Sequence, residues 1–505
     1  MKTIITASQM RDADRHTIER TAVASIDLME SAAAAFLTVF MQLYPDKHTA
    51  ILVCCGTGNN GGDGLAVARL LQTHGYDTVA VWIARFSGKE SDDFTENLAR
   101  LRHTPVPITE LSQTGRFPAI AQDVIIDALL GSGLNKPLAG AWLRLAQHLN
   151  DAPIKTVAID IPSGLRADGI MPGNEYTVSA DEVITFQRPK LSFFFPESSH
   201  AVKRFHVVDI GLDENFIEQL ASDYRLTGSG DIKGSYRSRG SFSHKGTYGH
   251  ALVVAGSTET MGAAILACGA SVYSGAGRTS ASVPPEGLTA LNTRYPEVMY
   301  CSWESLPEMW DRFNAVAIGP GLGPAASRLQ VLLSYRPKPF VLDADALTYI
   351  GEHPELLRAL PPHSILTPHM KEFDRLFGQH TSWYDRTQTA RTQAAALNII
   401  IILKNRYTFI ALPDGRVIIN PTGNPAMAGG GMGDVLTGIL VSLLAQGYTP
   451  QEAAIMGCYL HGLAGDRLTK GGMAVTPATQ VIGELPYTIN RLTEGLSPHL
   501  PVSDG

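Results

Sequence analysis

The chain has 505 residues, too many for one hydrophobic core, so at least two domains are expected. Its 44% hydrophobic and 18% charged residues exclude a disordered or fibrous chain. A net charge of −7, from 41 basic and 48 acidic residues, argues against a nucleic-acid or acidic-membrane surface as partner.

The opening stretch, "MKTIITASQMRDADRH", carries charges at positions 11, 12, 14 and 15 and no apolar run of the secretory kind. Ser31 to Tyr44 is uncharged, apolar and Ala-rich but short for a bilayer, so a buried helix is expected. "AILVCC" (50–55) then reads as a strand, "GTGNNGGDG" (56–64) as a loop and "LAVARLLQTHG" (65–75) as a helix with a Gly stop. "TVAVWIA" (78–84), "DVIIDALL" (123–130), "TVAIDI" (156–161), "EVITF" (182–186) and "FHVVDIG" (205–211) follow at wide intervals. Continuous apolar runs separated by helices predict a parallel sheet covered on both faces, complete by residue 212.

Residues 213–243 are rich in Gly, Ser and Arg without apolar period and read as a linker or surface-laid connection. The βα alternation restarts at "HALVVAGS" (250–257) and continues through "NAVAIGPGLG" (314–323), "PFVLDADAL" (339–347), "SILTPH" (364–369) and "NIIIILKN" (398–405). "YTFIALPDGRVIIN" (407–420) reads as a hairpin turned by Pro413-Asp414-Gly415. "GNPAMAGGGMGDVLTGILVSLLAQG" (423–447) is a Gly-rich loop opening an apolar helix, and the tail "EGLSPHLPVSDG" is expected to fray. Cys54, Cys55, Cys268, Cys301 and Cys458 form no C-x-x-C pair and read as reduced, buried residues of a cytoplasmic protein.

Gly56 to Gly61 match the dinucleotide fingerprint G-x-G-x-x-G, between a strand and a helix as that fingerprint requires. The second strand ends in Arg85, which suits a 2′-phosphate rather than ribose hydroxyls. Asp63, however, would repel a phosphate cradled by the same amides unless a cation intervenes. Hard cations take carboxylate, amide and hydroxyl oxygens, and Asn60, Asp127, Asp160 and Ser163 all stand at strand ends. In a parallel sheet those ends share one edge, where ligands bind. Each Asp could instead cap the turn that follows it.

In the second half, Gly430, Gly431 and Gly433 precede a helix whose amides and dipole make an anion site. Asp434 at its mouth reads as a base that takes a hydroxyl proton while the amides hold a transferring phosphoryl group, or else as an N-cap. Lys404 at a strand end suits a phosphate contact. His369 in "TPHMKEF" counts only with its neighbours.

Together these motifs are recognisable. "NNGGDG", "DALLGSG" and "DIPSG" resemble the NAD(P)HX epimerase domain. "HKGTYG", "GPGLG", "DADAL", "TPHMKEF" and "GGGMGDVLTG" resemble the ADP-dependent NAD(P)HX dehydratase domain. The fold class so implied is α/β: a Rossmann-like three-layer domain over 1–212, a linker over 213–243, and a ribokinase-like domain over 244–495. The implied function is repair of hydrated NADH and NADPH, which carry an added water at C6 of the nicotinamide ring. The first domain would interconvert the R and S hydrates; the second would return the S form to NAD(P)H with ADP as cosubstrate.

The resemblance also implies roles by residue. Asn60, Asp127 and Ser163 would bind K⁺. Asn59, Asn60, Gly61, Gly62, Asp63, Gly131, Ser132, Gly133, Leu134, Asn135, Lys136, Pro137 and Asp160 would contact the hydrate, with Asp160 handling a proton. In the second domain Ala263, Gly323, His369 and Asp434 would face the hydrate. Lys404, Asn405, Arg406, Tyr407, Thr408 and Gly433 would hold ADP, with Mg²⁺. Arg166 after Leu165 departs from the small polar residue usual there, at the outer rim of the site. The expected partners are small molecules only, with no nucleic acid or membrane, and the expected assembly is a homo-oligomer. Two rivals stand beside this reading: a small-molecule kinase built on the second domain, and a nucleotide-sensing module without turnover.

Overall fold

The computed structural model describes residues 1–169, 175–335 and 337–494. All of the tail expected to fray, except Glu494, lies outside the described residues. The chain forms two compact units. The first comprises Thr3–Ser222 with Ser382–Tyr384, and the second Met1–Lys2, Asp223–Thr381 and Asp385–Gly505.

In the first unit, α1 (Ala7–Thr21) starts at a capping box, in which the Thr6 hydroxyl accepts from the Gln9 amide and the Gln9 side chain accepts from the Thr6 amide. α2 (Ser25–Leu43) begins earlier than expected and is the one helix among the described residues long and apolar enough to cross a bilayer. Its Ala32, Ala33, Phe36, Leu37 and Phe40 recur at helical spacing and are buried in the same core as Val53 and Leu65. β1 (Ile51–Cys55), α3 (Asn59–Thr73), β2 (Val79–Ala84), α4 (Asp92–Arg102), β3 (Ile108–Leu111), β4 (Val124–Ala128), α5 (Gly140–Asp151), β5 (Lys155–Ile159), β6 (Glu182–Phe186) and β7 (Phe205–Val208) complete the alternation. The sheet runs β3-β2-β1-β4-β5-β6-β7 and is parallel throughout. β1, β4 and β6 are buried along their whole length, which is why they read as unbroken apolar runs. Cys54 and Cys55 are both free and buried, on opposite faces of β1.

The stretch 213–243 is not the unstructured linker the sequence suggested. Asp213 caps α6 (Glu214–Gln219) by accepting from the amides of Asn215 and Phe216. β8 (Tyr224–Leu226) joins the second unit's sheet, and α7 (Ser229–Ser235) buries Ile232 in that unit's core. Three apolar anchors, Ile217, Tyr224 and Ile232, are too sparse to give a period within a Gly-, Ser- and Arg-rich composition.

The second unit continues with β9 (His250–Val254), α8 (Met261–Tyr273), β10 (Arg278–Ser282), β11 (Met299–Tyr300), β12 (Ala315–Ile318), β13 (Phe340–Leu342), α9 (Asp345–Glu352), β14 (Ile365–Leu366), α10 (Met370–Phe377), β15 (Ile400–Leu403), β16 (Thr408–Ala411), β17 (Val417–Asn420), α11 (Met432–Ala445), α12 (Pro450–Lys470) and α13 (Ala478–Leu492). Its strands run β8-β17-β16-β15-β14-β13-β12-β9-β10-β11. β15, β16 and β17 pair antiparallel through the predicted hairpin, where Gly415 takes φ +85° at the turn. α11 is buried over almost its full length against α8 and the sheet, a helix apolar all round because it is covered all round.

Candidate functional site

The first unit's cavity, about 560 Å³, opens at the carboxyl edge of the sheet, where strand order reverses between β1 and β4. Thr57 to Asn60 line it after β1, Leu129 to Leu134 after β4, and Asp160 after β5. The glycines of the first loop serve close packing. A Cβ on Gly56 would lie 1.9 Å from the Leu129 carbonyl oxygen, and one on Gly61 1.9 Å from that of Gly56. Gly61 and Gly62 therefore form the floor behind Asn59, Asn60 and Asp63, and neither lines the cavity. Asn135, Lys136 and Pro137 are likewise outside its lining, whereas Gly131, Ser132, Gly133 and Leu134 are in it.

Asn60, Asp127 and Ser163 converge. The Ser163 hydroxyl and amide each donate to the buried Asp127 carboxylate at 2.7 Å. The Leu129 amide donates to the same carboxylate at 3.2 Å. Asn60 Nδ2 donates to the Leu130 carbonyl at 3.2 Å, and the Ser163 hydroxyl reaches that carbonyl at 3.3 Å. Burial raises the Asp127 pKa despite these donors. Three of the groups that meet here are oxygens, a carboxylate, a hydroxyl and a backbone carbonyl, and Asn60 turns its amide nitrogen toward that carbonyl. Among the described residues no three His, Cys, Asp or Glu side chains gather as a metal site.

Asp160 does not cap the turn after it. It takes φ +63°, a conformation Asp tolerates better than most residues. Its Oδ1 accepts from Lys190 Nζ at 2.6 Å and from the Thr185 hydroxyl and Phe186 amide, each at 3.1 Å. The strained backbone and buried ion pair fix one carboxylate oxygen at the cavity wall. Asp63 has no hydrogen-bond or ion-pair partner among the described residues. Burial, then Asp160, Asp14 and Asp93, push it well above the usual carboxylate range.

Sequence reasoning missed the wall that α1 contributes. Met10, Arg11 and Asp14 all line the cavity. Their i, i+3 and i, i+4 spacing was legible, but nothing in the sequence said what that face would cover. Arg85, weighed as a 2′-phosphate contact, is instead paired with Glu90 and Glu110 and lies outside the lining. Arg166 is engaged with Glu175.

In the second unit, Lys404 leaves the end of β15 and pairs with Asp343 at 2.8 Å, so it is not a freely solvated lysine. Asp343, at the end of β13, also accepts from the Thr437 hydroxyl at 3.0 Å. Burial alone would raise Asp343, but Lys404 and the hydroxyls of Thr367 and Thr437 hold it below the usual carboxylate range. A cavity of about 430 Å³ starts at Lys404, Asn405, Arg406, Thr408 and Gly433 and continues past Asn420, Met427, Met432, Cys458 and His461. It thus has a cationic mouth and an apolar slot, the shape a nucleotide needs. Tyr407 is outside this lining; the Arg406 guanidinium stacks on its ring at 4.5 Å.

Asp434 is not an N-cap. That position belongs to Gly431, in the left-handed region at φ +87°, and no side chain caps α11. Asp434 sits in the first turn with no hydrogen-bond or ion-pair partner among the described residues. Burial, then Asp343, raise it to about 6 against the pull of Lys404. An unpaired carboxyl poised near neutral pH, beside free helix amides and a lysine, can take a proton from a hydroxyl. Gly323 donates its amide to Asp345 at 2.8 Å, and Asp345 bears on Asp434. His369 caps α10 by accepting at Nδ1 from the amides of Lys371 and Glu372. Ala263 stands in the first turn of α8, held to the Gly-rich 319–323 loop by the Thr260 hydroxyl on the Gly321 carbonyl at 2.6 Å. These three residues are on the same sheet edge as Asp434 but outside the nucleotide-shaped cavity.

Comparison with known proteins bears on both units. A family model described as YjeF-related protein N-terminus matches residues 25–192, and one described as NAD(P)H-hydrate dehydratase matches residues 251–487. The chain is 33% identical to a bifunctional NAD(P)H-hydrate repair enzyme of Moorella thermoacetica, over 97% of either chain. It is 32% identical to the enzyme of that description from Escherichia coli, over 97% of this chain and 94% of the other. A solved structure of an ADP/ATP-dependent NAD(P)H-hydrate dehydratase from Bacillus subtilis, co-crystallized with ATP and Mg²⁺, is 32% identical, covering 52% of this chain and 97% of that one with a TM-score of 0.47.

Proposed function

The chain belongs to the bifunctional NAD(P)H-hydrate repair enzymes, and we propose that its two sheet-edge cavities divide that work. The enzyme epimerises R- and S-NAD(P)HX and dehydrates the S form to NAD(P)H at the expense of a nucleotide, ADP in this reading. That membership sets aside the small-molecule kinase and the sensing module. We assign epimerisation to the cavity of Asn60, Asp63 and Asp160, and dehydration to the edge around Lys404 and Asp434. The observation that carries the assignment is that each edge holds a carboxyl with no partner among the described residues, Asp63 in one and Asp434 in the other.

In the dehydratase step Asp434 takes the C6 hydroxyl proton as that oxygen attacks the terminal phosphorus of the nucleotide. With ADP the leaving group is AMP. Phosphate then leaves C6 with the C–O electron pair, the ring nitrogen lone pair makes the iminium, and loss of a C5 proton restores the dihydronicotinamide. Lys404 and the open amides of α11 balance the phosphate charge. Mg²⁺ on those phosphates needs only one or two carboxylates from the chain, and Asp343 beside Lys404 can supply one. If Asp434 is the base, kcat/KM for dehydration falls about tenfold per pH unit below about 6, where its carboxyl gains a proton, and levels off above; a pH profile flat down to 5 contradicts the assignment.

K⁺ suits the oxygens of Asp127, Ser163 and the Leu130 carbonyl, and Asn60 would join them by turning its amide oxygen inward in place of Nδ2. Bound there, it supplies positive charge against the substrate phosphates near Asp63. Asp127→Ala leaves the Ser163 and Leu129 amides without this acceptor, at about 1–3 kcal/mol each, while the Ser163 hydroxyl keeps the Leu130 backbone as partner. It should weaken epimerisation and its response to K⁺ while dehydration of the S hydrate stays intact; loss of both activities would mean that the site does more than serve the first unit. We further place the enzyme in the cytoplasm, which its free buried cysteines favour, and sizing of the purified protein tests the expected homo-oligomer. The function as a whole is tested by adding nucleotide to S-NADHX. NADH should appear only with nucleotide present and with one phosphate released per NADH, whereas an accumulating phosphorylated hydrate would mark a kinase.

A further inference from the structure

α1 precedes the matched epimerase-family segment, which begins at residue 25. Its face nonetheless forms one wall of the first cavity through Met10, Arg11 and Asp14. Arg11 reaches toward the 131–134 loop, its Nη1 being 3.9 Å from where a Cβ on Gly133 would stand. Asp14 has no hydrogen-bond or ion-pair partner among the described residues, although it is half-buried at the cavity. A carboxyl so placed, with no structural duty, is retained at a cost to folding. The groups that face it are Asp160 after β5, Lys190 after β6, Arg11 on its own helix and Asp63 on α3.

We propose that Asp14 is the general acid of the epimerisation, working across the cavity from Asp160. The hydrate is a hemiaminal, with the hydroxyl and ring nitrogen N1 on the same carbon, C6. Asp160 takes the hydroxyl proton, the C6=O bond forms and the C6–N1 bond breaks. The electron pair goes to N1, which receives the Asp14 proton. Rotation about the chain presents the other face of the aldehyde to N1. N1 then attacks C6, returning its proton to Asp14 while Asp160 returns its proton to oxygen. Atoms and charge balance, and both carboxyls end as they began. The two roles fit the two environments. Asp160 is already bound as an acceptor by Lys190, Thr185 and the Phe186 amide, while Asp14 has no donor to hold it as a carboxylate. Burial and the neighbouring Asp160 raise Asp14 to about 6 against Lys190 and Arg11, so a proton is available to give.

The proposal rests on reading the first cavity as the epimerase site, and the test separates the two. Epimerisation is followed on the full-length enzyme with R-NADHX, using its own dehydratase and excess ADP as the readout, from pH 5.5 to 8. The wild-type rate should fall above about pH 6 as Asp14 loses its proton. Asp14→Asn should lower the rate about 10²-fold or more and abolish that limb, while dehydration of S-NADHX is unchanged. Asp14→Glu should restore the rate to within about tenfold, which a merely structural carboxyl would not require. If Asp14→Asn epimerises within about threefold of wild type while Asp160→Asn does not, Asp14 is no catalyst although the cavity is the epimerase site. If neither variant is impaired, the cavity reading itself fails. A wild-type profile without the limb overturns the proposal even if Asp14→Asn does not fold.

Discussion

Asp434→Asn should lower nucleotide-dependent dehydration of the S hydrate about 10²–10⁴-fold and leave epimerisation unchanged. The substitution keeps size and shape, and it costs no cap, because Gly431 and not Asp434 occupies the N-cap of α11. It breaks no ion pair either, since Lys404 belongs to Asp343. What it removes is a carboxyl that burial and Asp343 hold near a pKa of 6. The folded state raises that value above the ordinary 3.8, so ionised Asp434 opposes folding above the ordinary value and most fully above about 6. At pH 7.5 the variant should therefore melt no lower than wild type. Loss of activity with stability kept or gained separates a base from a structural residue, and near-normal dehydration would remove Asp434 from the mechanism.

Asp160→Asn should split the repair of a mixed hydrate into its two halves. Spontaneous hydration gives both epimers, and the second unit takes one. With excess ADP the variant should convert the S fraction at the normal rate and then stall, apart from slow spontaneous epimerisation. The carboxylate has structural work too: its partner Lys190 is almost wholly buried, and removing one member of such a pair is costly. Assays belong below the variant's melting transition, and a variant folded there that still stalls isolates the chemistry. If the curve runs to completion like wild type, Asp160 only anchors Lys190, Thr185 and the Phe186 amide.

The sheets were legible because most of their strands are buried on both faces, so β1, β4, β6, β9, β12 and β15 announce themselves as apolar runs. β10, "RTSAS", was not, because small polar residues fill its buried positions. The connection over 213–243 was misread for the opposite reason: Ile217, Tyr224 and Ile232 anchor it, spread through largely polar sequence. At the sites, residues at strand ends were readable from the rule that parallel strands share one edge, which brought Asn60, Asp127, Asp160 and Ser163 together in advance. Residues that complete the cavities from helices were not readable. Asp14 on α1 and His461 on α12 look like ordinary helical positions until packing shows what their faces cover. Lys404 was placed correctly at a strand end, but its partner Asp343 is 61 positions away, and only the fold joins them.

The account depends most on two sites of different chemistry serving one repair. The direct measurement is a progress curve of the wild-type enzyme on racemised NADHX with excess ADP, following NADH and phosphate together. The account predicts a fast phase of about half the hydrate, a slower phase that carries the remainder to completion, and one phosphate released per NADH throughout. A curve that stops at half, or nucleotide consumed with the phosphoryl group retained on a stable product, would contradict it.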